Sequence, residues 1–224
     1  MEINPKKIAG EYAASLIKEG MVVGLGTGST AYWAIEKIGE MVNRSGLGIK
    51  AISSSKKSEE QARSLNIPII SFAETDHIDI TIDGADEVDP GKNLIKGGGG
   101  ALLREKIVAF NSNKLIIIVD ETKLVKQLGK FPVPVEIAIF GWEKTMQNLA
   151  DLQSQPRLRL SDKEPYITDN GNYIIDCSFQ QIEHPESLHH KINAIPGVLE
   201  NGLFIQLAKL IIVGYKDGRV VQIE

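Results

Sequence analysis

MVVGLGTGST, residues 21–30, passes from an apolar run into a turn of glycines and hydroxyls, and a stretch able to form an amphipathic helix follows from Thr30 to Val42. A short apolar run that leads through glycines into a helix is the opening of a parallel β-α unit, because a strand buried on both faces reads as continuous hydrophobic sequence. The pattern then repeats. Apolar runs IKAIS (49–53), IPII (67–70), IDITI (78–82) and KLIIIV (114–119) alternate with helix-like segments at 56–65 and 101–111. The first half therefore reads as a doubly wound α/β unit, a parallel sheet covered by helices.

KFPVPVE (130–136) breaks this rhythm. Its two prolines forbid helix and allow only an edge or extended stretch, so a domain boundary is expected there. Beyond it, VEIAIF, RLRL, YIIDCSF and VLENGLF read as strands, with EKTMQNLADL and ESLHHKINAI as helices. The resulting β-α-β-β-α-β order is the ferredoxin-like split unit. KLIIVGY and RVVQIE then flank the turn Lys216-Asp217-Gly218 as a hairpin that returns to the first sheet. The expected division is 1–130 plus 207–224 for the α/β domain and 131–206 for the smaller α+β domain.

With 224 residues, 42% of them hydrophobic and 24% charged, the chain has room for one large or two modest cores. Cys177 is the single cysteine, which excludes an intrachain disulfide, and its setting YIIDCSF predicts a buried strand position in a reducing compartment. The N-terminal MEINPKKIAGEYAASLIKEG lacks the uninterrupted apolar core of a signal peptide, and no window approaches the roughly 18 apolar residues of a membrane helix. A cytoplasmic protein is expected. A net charge of -4 argues against nucleic acid or an anionic membrane as partner, while a small anion held by local basic residues stays open.

In a parallel sheet all strand C-termini point to one edge, and open α/β sheets bind ligands outside it. GLGTGST (24–30), SSSKK (53–57), DGADE (83–87) and DETK (120–123) each follow a strand and gather there. Thr27-Gly28-Ser29-Thr30 offers three hydroxyls and the N–H groups of a helix start, which suit a phosphate. A dinucleotide fingerprint would need glycine where Ser29 stands, and a Walker A loop would need lysine before the Ser or Thr. The competing reading has Thr27 and Ser29 capping the helix, with the same atoms. Lys123 could add compensating charge, as could Lys6 or Lys7.

Asp83 and Asp86, separated by Gly84 and Ala85, sit where a tight turn would direct both carboxylates toward the crevice. The alternatives are solvated turn carboxylates or a metal site, but the run lacks the calcium-loop periodicity and has no His pair or Cys cluster to help. Lys96 is a ready counter-ion. Glu105 follows the four glycines Gly97 to Gly100, and in a helix its neighbours three and four residues away are Ala101, Leu102, Val108 and Ala109. Such apolar surroundings raise a carboxylate's pKa toward the range of a general base; an exposed glutamate without a role is the alternative. The four histidines, His77, His184, His189 and His190, lie outside these clusters.

Taken together, GLGTGST, SSS, DGADE, IKGGGGALLREK (95–106), LGKFPVPVE (128–136), TDNGN (168–172) and INAIPGV (192–198) make the chain resemble the ribose-5-phosphate isomerases of the A type over nearly its whole length. The resemblance implies a Rossmann-like main domain with a smaller ferredoxin-like one, a homodimer, and isomerisation of a phosphosugar without metal or organic cofactor. It implies substrate binding by Thr27, Gly28, Ser29 and Thr30, by Asp83, Gly84, Ala85 and Asp86, by Lys96, Gly97, Gly98 and Gly99, and by Lys123. Glu105 would be the proton acceptor, with Asp83 and Lys96 assisting the chemistry. Gly100 departs from the family pattern, where alanine is expected in many members. A phosphosugar sensor would want a DNA-binding helix-turn-helix before the first strand, and Met1 to Gly20 is too short for one. A CoA transferase of similar topology, with a glutamate nucleophile, fits the TGST loop less well.

Overall fold

A computed structural model describes residues 3–224. Along the chain, α1 (Pro5–Ala14), β1 (Val22–Leu25), α2 (Ala31–Ser45), β2 (Lys50–Ser53), α3 (Lys56–Ser64) and β3 (Ile80–Gly84) come first. They are followed by β4 (Glu87–Val88), β5 (Leu94–Ile95), α4 (Leu102–Phe110) and β6 (Leu115–Asp120). Next come β7 (Val133–Ile137), α5 (Trp142–Ala150), β8 (Gln155–Leu158), β9 (Leu160–Ser161), β10 (Glu164–Pro165), β11 (Tyr173–Ser178) and α6 (Pro185–Asn193). The chain closes with β12 (Val198–Asn201), β13 (Leu203–Phe204), β14 (Ala208–Gly214) and β15 (Val220–Ile223). The contacts divide it into a larger unit, Met1–Ala85, Arg104–Leu124 and Leu207–Glu224, and a smaller one, Asp86–Leu103 and Val125–Gln206.

The larger unit is a six-stranded sheet in the order β15-β14-β6-β3-β1-β2. Its strands run parallel except β15, which forms the expected hairpin with β14. All six residues of β6 are buried, which is why LIIIV (115–119) reads as an unbroken apolar run up to Asp120. Ile35 and Ile38 of α2 and Ala9 and Ala13 of α1 pack with Val23, Leu25, Ile80, Ile82, Ile116 and Ile118 of the sheet. Each fully buried isoleucine contributes about 1.5–3 kcal/mol by leaving water. Helix α1 is an addition to the expected elements: Asn4 Oδ1 accepts from the N–H groups of Lys6 (3.1 Å) and Lys7 (3.3 Å), and Pro5 opens the first turn. IPII differs from expectation. It makes a single bridge, Ile69 to Ala51, because Pro68 within it supplies no N–H for a ladder.

In the smaller unit a four-stranded antiparallel sheet runs β12-β7-β11-β8, with α5 and α6 contributing Leu149 and Ile192 to its core. This is the ferredoxin-like order expected from the sequence. KFPVPVE, however, supplies an interior strand. Pro134 is tolerated there because its carbonyl, and hence its N–H-less nitrogen, faces the side where β12 has ended at Asn201 and Gly202 N–H donates to Pro134 O at 2.7 Å. Gly202 also breaks VLENGLF into two strands, the second of which joins a separate three-stranded sheet, β13-β5-β4. That sheet explains why the unit takes in residues 86–103, earlier in the chain than its expected start at 131: β5 pairs with β13, and Val125 N–H donates to Val88 O at 2.9 Å. Among the described residues no helix is long and apolar enough to cross a membrane.

Candidate active site

In the larger unit the turn after β1 and the end of β3 hold each other. Asp83 is 1% exposed, and its Oδ1 accepts from the N–H groups of Thr27 (2.9 Å) and Gly84 (2.7 Å). A Cβ on Gly26 would collide with this carboxylate, so glycine there is what lets loop and acid meet. The Thr27 hydroxyl turns away from the helix start. It donates to Ser55 Oγ at 2.8 Å and lies 2.9 Å from Ser54 Oγ and 3.2 Å from Ser58 Oγ. Ser58 in turn donates to Gly26 O at 2.6 Å, so the serines after β2 clamp the turn from below.

Helix α2 begins after Thr30, which makes no side-chain cap bond. Ser29 does not cap it either: its Oγ accepts from Lys6 Nζ at 3.0 Å. The helix start is thus open to an external acceptor, with a cation beside it. Lys7 Nζ lies 5.3 Å from the Trp33 ring centroid and 3.8 Å from Glu11 Oε1. Thr27, Gly28 and Ser29 also form one wall of a cavity of about 340 Å³ whose other lining includes Trp33, Lys57 and Gln61. Lys123 ends a short turn of 3-10 helix after β6, capped by Asp120, and among the described residues no hydrogen bond or ion pair joins it to Thr27–Thr30. Gly84 and Ala85 are half-buried. Glu105 lies in the first turn of α4 and is 3% exposed, with Val108 and Ala109 buried beside it. It is not a surface glutamate.

In the smaller unit Lys96 is buried, its N–H donating to Gly202 O at 2.9 Å and its Nζ 5.3 Å from the Phe204 ring centroid. Asp86 Oδ2 accepts from Gly98 N–H at 2.8 Å, and a Cβ on Gly98 would stand 2.7 Å from Asp86 Oδ1. Gly97 and Gly100 have φ of +98° and +85°, joined by a hydrogen bond from Gly100 N–H to Gly97 O at 2.9 Å. Gly100 is no slack link: besides that left-handed backbone, a Cβ there would strike the Tyr166 hydroxyl. Burial, and then the charge of Asp169, pushes the Tyr166 phenol above its usual range and keeps it neutral.

Sequence reasoning missed two parts of this arrangement. Glu87, 3% exposed, accepts from the N–H groups of Gly129 (2.8 Å) and Phe131 (2.6 Å) and so fixes the LGKF turn. Arg159 donates to two carbonyls of the glycine run. RLRL gave only a strand pattern, and nothing in its alternation marks which arginine turns inward. Among the described residues no three His, Cys, Asp or Glu side chains are grouped to hold a metal ion.

Residues 50–218 match the family Ribose 5-phosphate isomerase A (phosphoriboisomerase A). The chain is 52% identical to ribose-5-phosphate isomerase A of Bacillus mycoides over 217 residues, 96% of this chain and 98% of that one. Among solved structures, ribose 5-phosphate isomerase A of Methanocaldococcus jannaschii superposes with a TM-score of 0.93 at 40% identity, over 98% of this chain and 97% of that one. A D-ribose-5-phosphate isomerase in complex with phospho-erythronic acid superposes with a TM-score of 0.96 at 41% identity, over 99% of this chain and 100% of that one.

Proposed function

The chain belongs to the ribose 5-phosphate isomerase A family, which interconverts D-ribose 5-phosphate and D-ribulose 5-phosphate in the nonoxidative pentose phosphate pathway, and we propose that it does so through an enediolate with Glu105 as general base. Aldose-ketose isomerisation moves a proton between C2 and C1. It therefore needs one base that serves both carbons and donors that stabilise the oxyanion formed between the two transfers. Glu105 takes the proton from C2 and returns it at C1. The observation that carries this role is its burial, 3% exposed on the helix that follows the glycine run.

Lys96 and the glycine amides are assigned to the oxyanion. Gly98 N–H is already given to Asp86 and Gly100 N–H to Gly97 O, so Gly97 and Gly99 are the amides left to the sugar. Asp83 assists furanose opening by moving protons at the hydroxyl and ring oxygen, and Asp86 orients the loop and the sugar hydroxyls. The phosphate is assigned to the uncapped start of α2, with Gly28, Ser29 and Thr30, the neighbouring Lys6, and Lys123. Thr27 serves the site by holding Asp83, and Gly84 and Ala85 shape the turn behind it. Binding energy at the phosphate then positions the reacting carbons. The isomerase solved with phospho-erythronic acid supports a phosphosugar ligand for the fold. No metal or organic cofactor enters this scheme, and a cytoplasmic homodimer completes it.

Incubation with ribose 5-phosphate in EDTA tests the reading, the expected product being the ketose. Tight binding of the phosphosugar without turnover would instead indicate a sensor. Thr30→Ala and Lys123→Ala should raise KM about tenfold with kcat little changed, since a phosphate contact made equally in ground and transition state is uniform binding. A pure loss of kcat would contradict their assignment. Light scattering on the eluting protein tests the homodimer.

A further inference from the structure

Arg159, just past β8, donates into the glycine run from outside it. Its Nε donates to Asp176 Oδ2 at 2.9 Å, its Nη2 donates to Asp176 Oδ1, and its Nη1 donates to Gly97 O at 3.1 Å and Gly98 O at 3.2 Å. Asp176 belongs to β11, in the interior of the four-stranded sheet, so the guanidinium is anchored to a rigid element by a fork that a lysine could not reproduce. The Arg159 side chain is 14% exposed and lies with its Cζ 5.9 Å from the Tyr166 ring centroid. Tyr166, which also bounds Gly100, donates its N–H to Arg159 O at 2.9 Å.

We propose that Arg159, locked by Asp176, is a positioning residue for catalysis, which through Gly98 O aims and polarises the Gly99 amide that meets the oxyanion. Peptide planarity gives the direction. There is no cis peptide bond among the described residues, so in each peptide the N–H points opposite to the C=O. Pinning Gly97 O sends Gly98 N–H the other way, to the Asp86 carboxylate, where it is found at 2.8 Å. Pinning Gly98 O by the same guanidinium fixes Gly99 N–H in turn. A run of glycines has little torsional preference of its own; Gly100 N–H and Asp86 still hold the Gly97–Gly98 peptide without Arg159, but the Gly98–Gly99 peptide would rotate and its donor would be lost to conformational averaging. A cation on the carbonyl also draws electron density through the amide, which strengthens its N–H as a donor where negative charge develops.

This inference rests on the isomerase reading given above and adds to it a residue that touches no substrate. Such a residue should lower kcat and leave KM nearly unchanged, because the ground-state sugar has no full oxyanion to miss. In Arg159→Gln, kcat for ribose 5-phosphate is expected to fall about 10- to 100-fold with KM within about threefold, somewhat less than removal of an oxyanion donor outright. Arg159→Lys should recover part of the loss. Asp176→Asn, which keeps the shape but frees the fork, should show the same split in weaker form and covers the case in which Arg159→Gln does not fold. The inhibition constant of phospho-erythronic acid, whose planar carboxylate copies the enediolate oxygens, should rise in parallel with the loss of kcat. A folded Arg159→Gln or Asp176→Asn with wild-type kcat overturns the proposal, as does a loss that appears in KM alone. Wild type assayed alongside keeps the claims apart: an inactive wild type removes the isomerase reading and this inference together, whereas an active wild type with indifferent variants removes only the inference.

Discussion

Asp83, Asp86 and Glu87 are acids within one short stretch of sequence, and only the groups they accept from separate them. Glu105 could be read as buried because no cation stands three or four residues away on its helix. Glu87 could not, since its partners Gly129 and Phe131 are backbone groups far along the chain. Hydroxyls were equally opaque: Thr27 and Ser29 suit a cap or a phosphate by type, whereas the structure gives Thr27 to the serine cluster and Ser29 to Lys6. Cys177 was legible from YIIDCSF and is fully buried, its thiol pushed up to about 12 chiefly by burial. In the unfolded chain that thiol ionises near its ordinary value of 9.0, so unfolding is increasingly favoured as pH rises from there to about 12. Denaturant titrations should therefore show a shallower alkaline loss of stability in Cys177→Ala than in wild type. Equal slopes would mean that the thiol is accessible to solvent in the native state.

Among the elements, those defined by long-period patterns could be read and those defined by one distant bond could not. The strands around MVVGLGTGST and the helices after them follow from apolar runs and 3.6-residue periodicity. KFPVPVE was expected as an edge or extended stretch and is an extended strand inside the sheet; where the neighbouring ladder ends cannot be seen from the prolines themselves. The LGKF turn just before it depends on Glu87. Glu87→Gln keeps one acceptor but sets an amide N–H against a backbone N–H, which should cost about 2–3 kcal/mol in stability by chemical denaturation. An unchanged midpoint would contradict that account of the turn. At the glycine run, Gly100→Ala should cost about 1–2 kcal/mol from the left-handed φ alone, with added crowding at Tyr166. A variant as stable as wild type would show that the loop has another acceptable path.

At the scale of the whole molecule, the fold class was readable, while the contacts divide the chain with residues 86–103 in the smaller unit. Alternation of apolar runs and helices gives the α/β sheet, and β-α-β-β-α-β gives the ferredoxin-like unit, both from local periodicity. The assignment of residues 86–103 to the smaller unit depends on two-residue strands pairing with β13, a signal too short to stand out in sequence. The residues proposed for the chemistry are correspondingly split along the chain. The turn proposed for the phosphate, Asp83 and Glu105 fall in the larger unit, and Asp86, Lys96, the glycine run and Arg159 in the smaller. One carboxylate, Glu105, is proposed to move the proton in this member of the ribose 5-phosphate isomerase A family. Glu105→Gln retains the volume and removes the base, and its steady-state kinetics with ribose 5-phosphate in EDTA show whether it does. The expected result is a kcat lower by about 100-fold or more with KM little changed. A Glu105→Gln enzyme turning over at near the wild-type rate would contradict it.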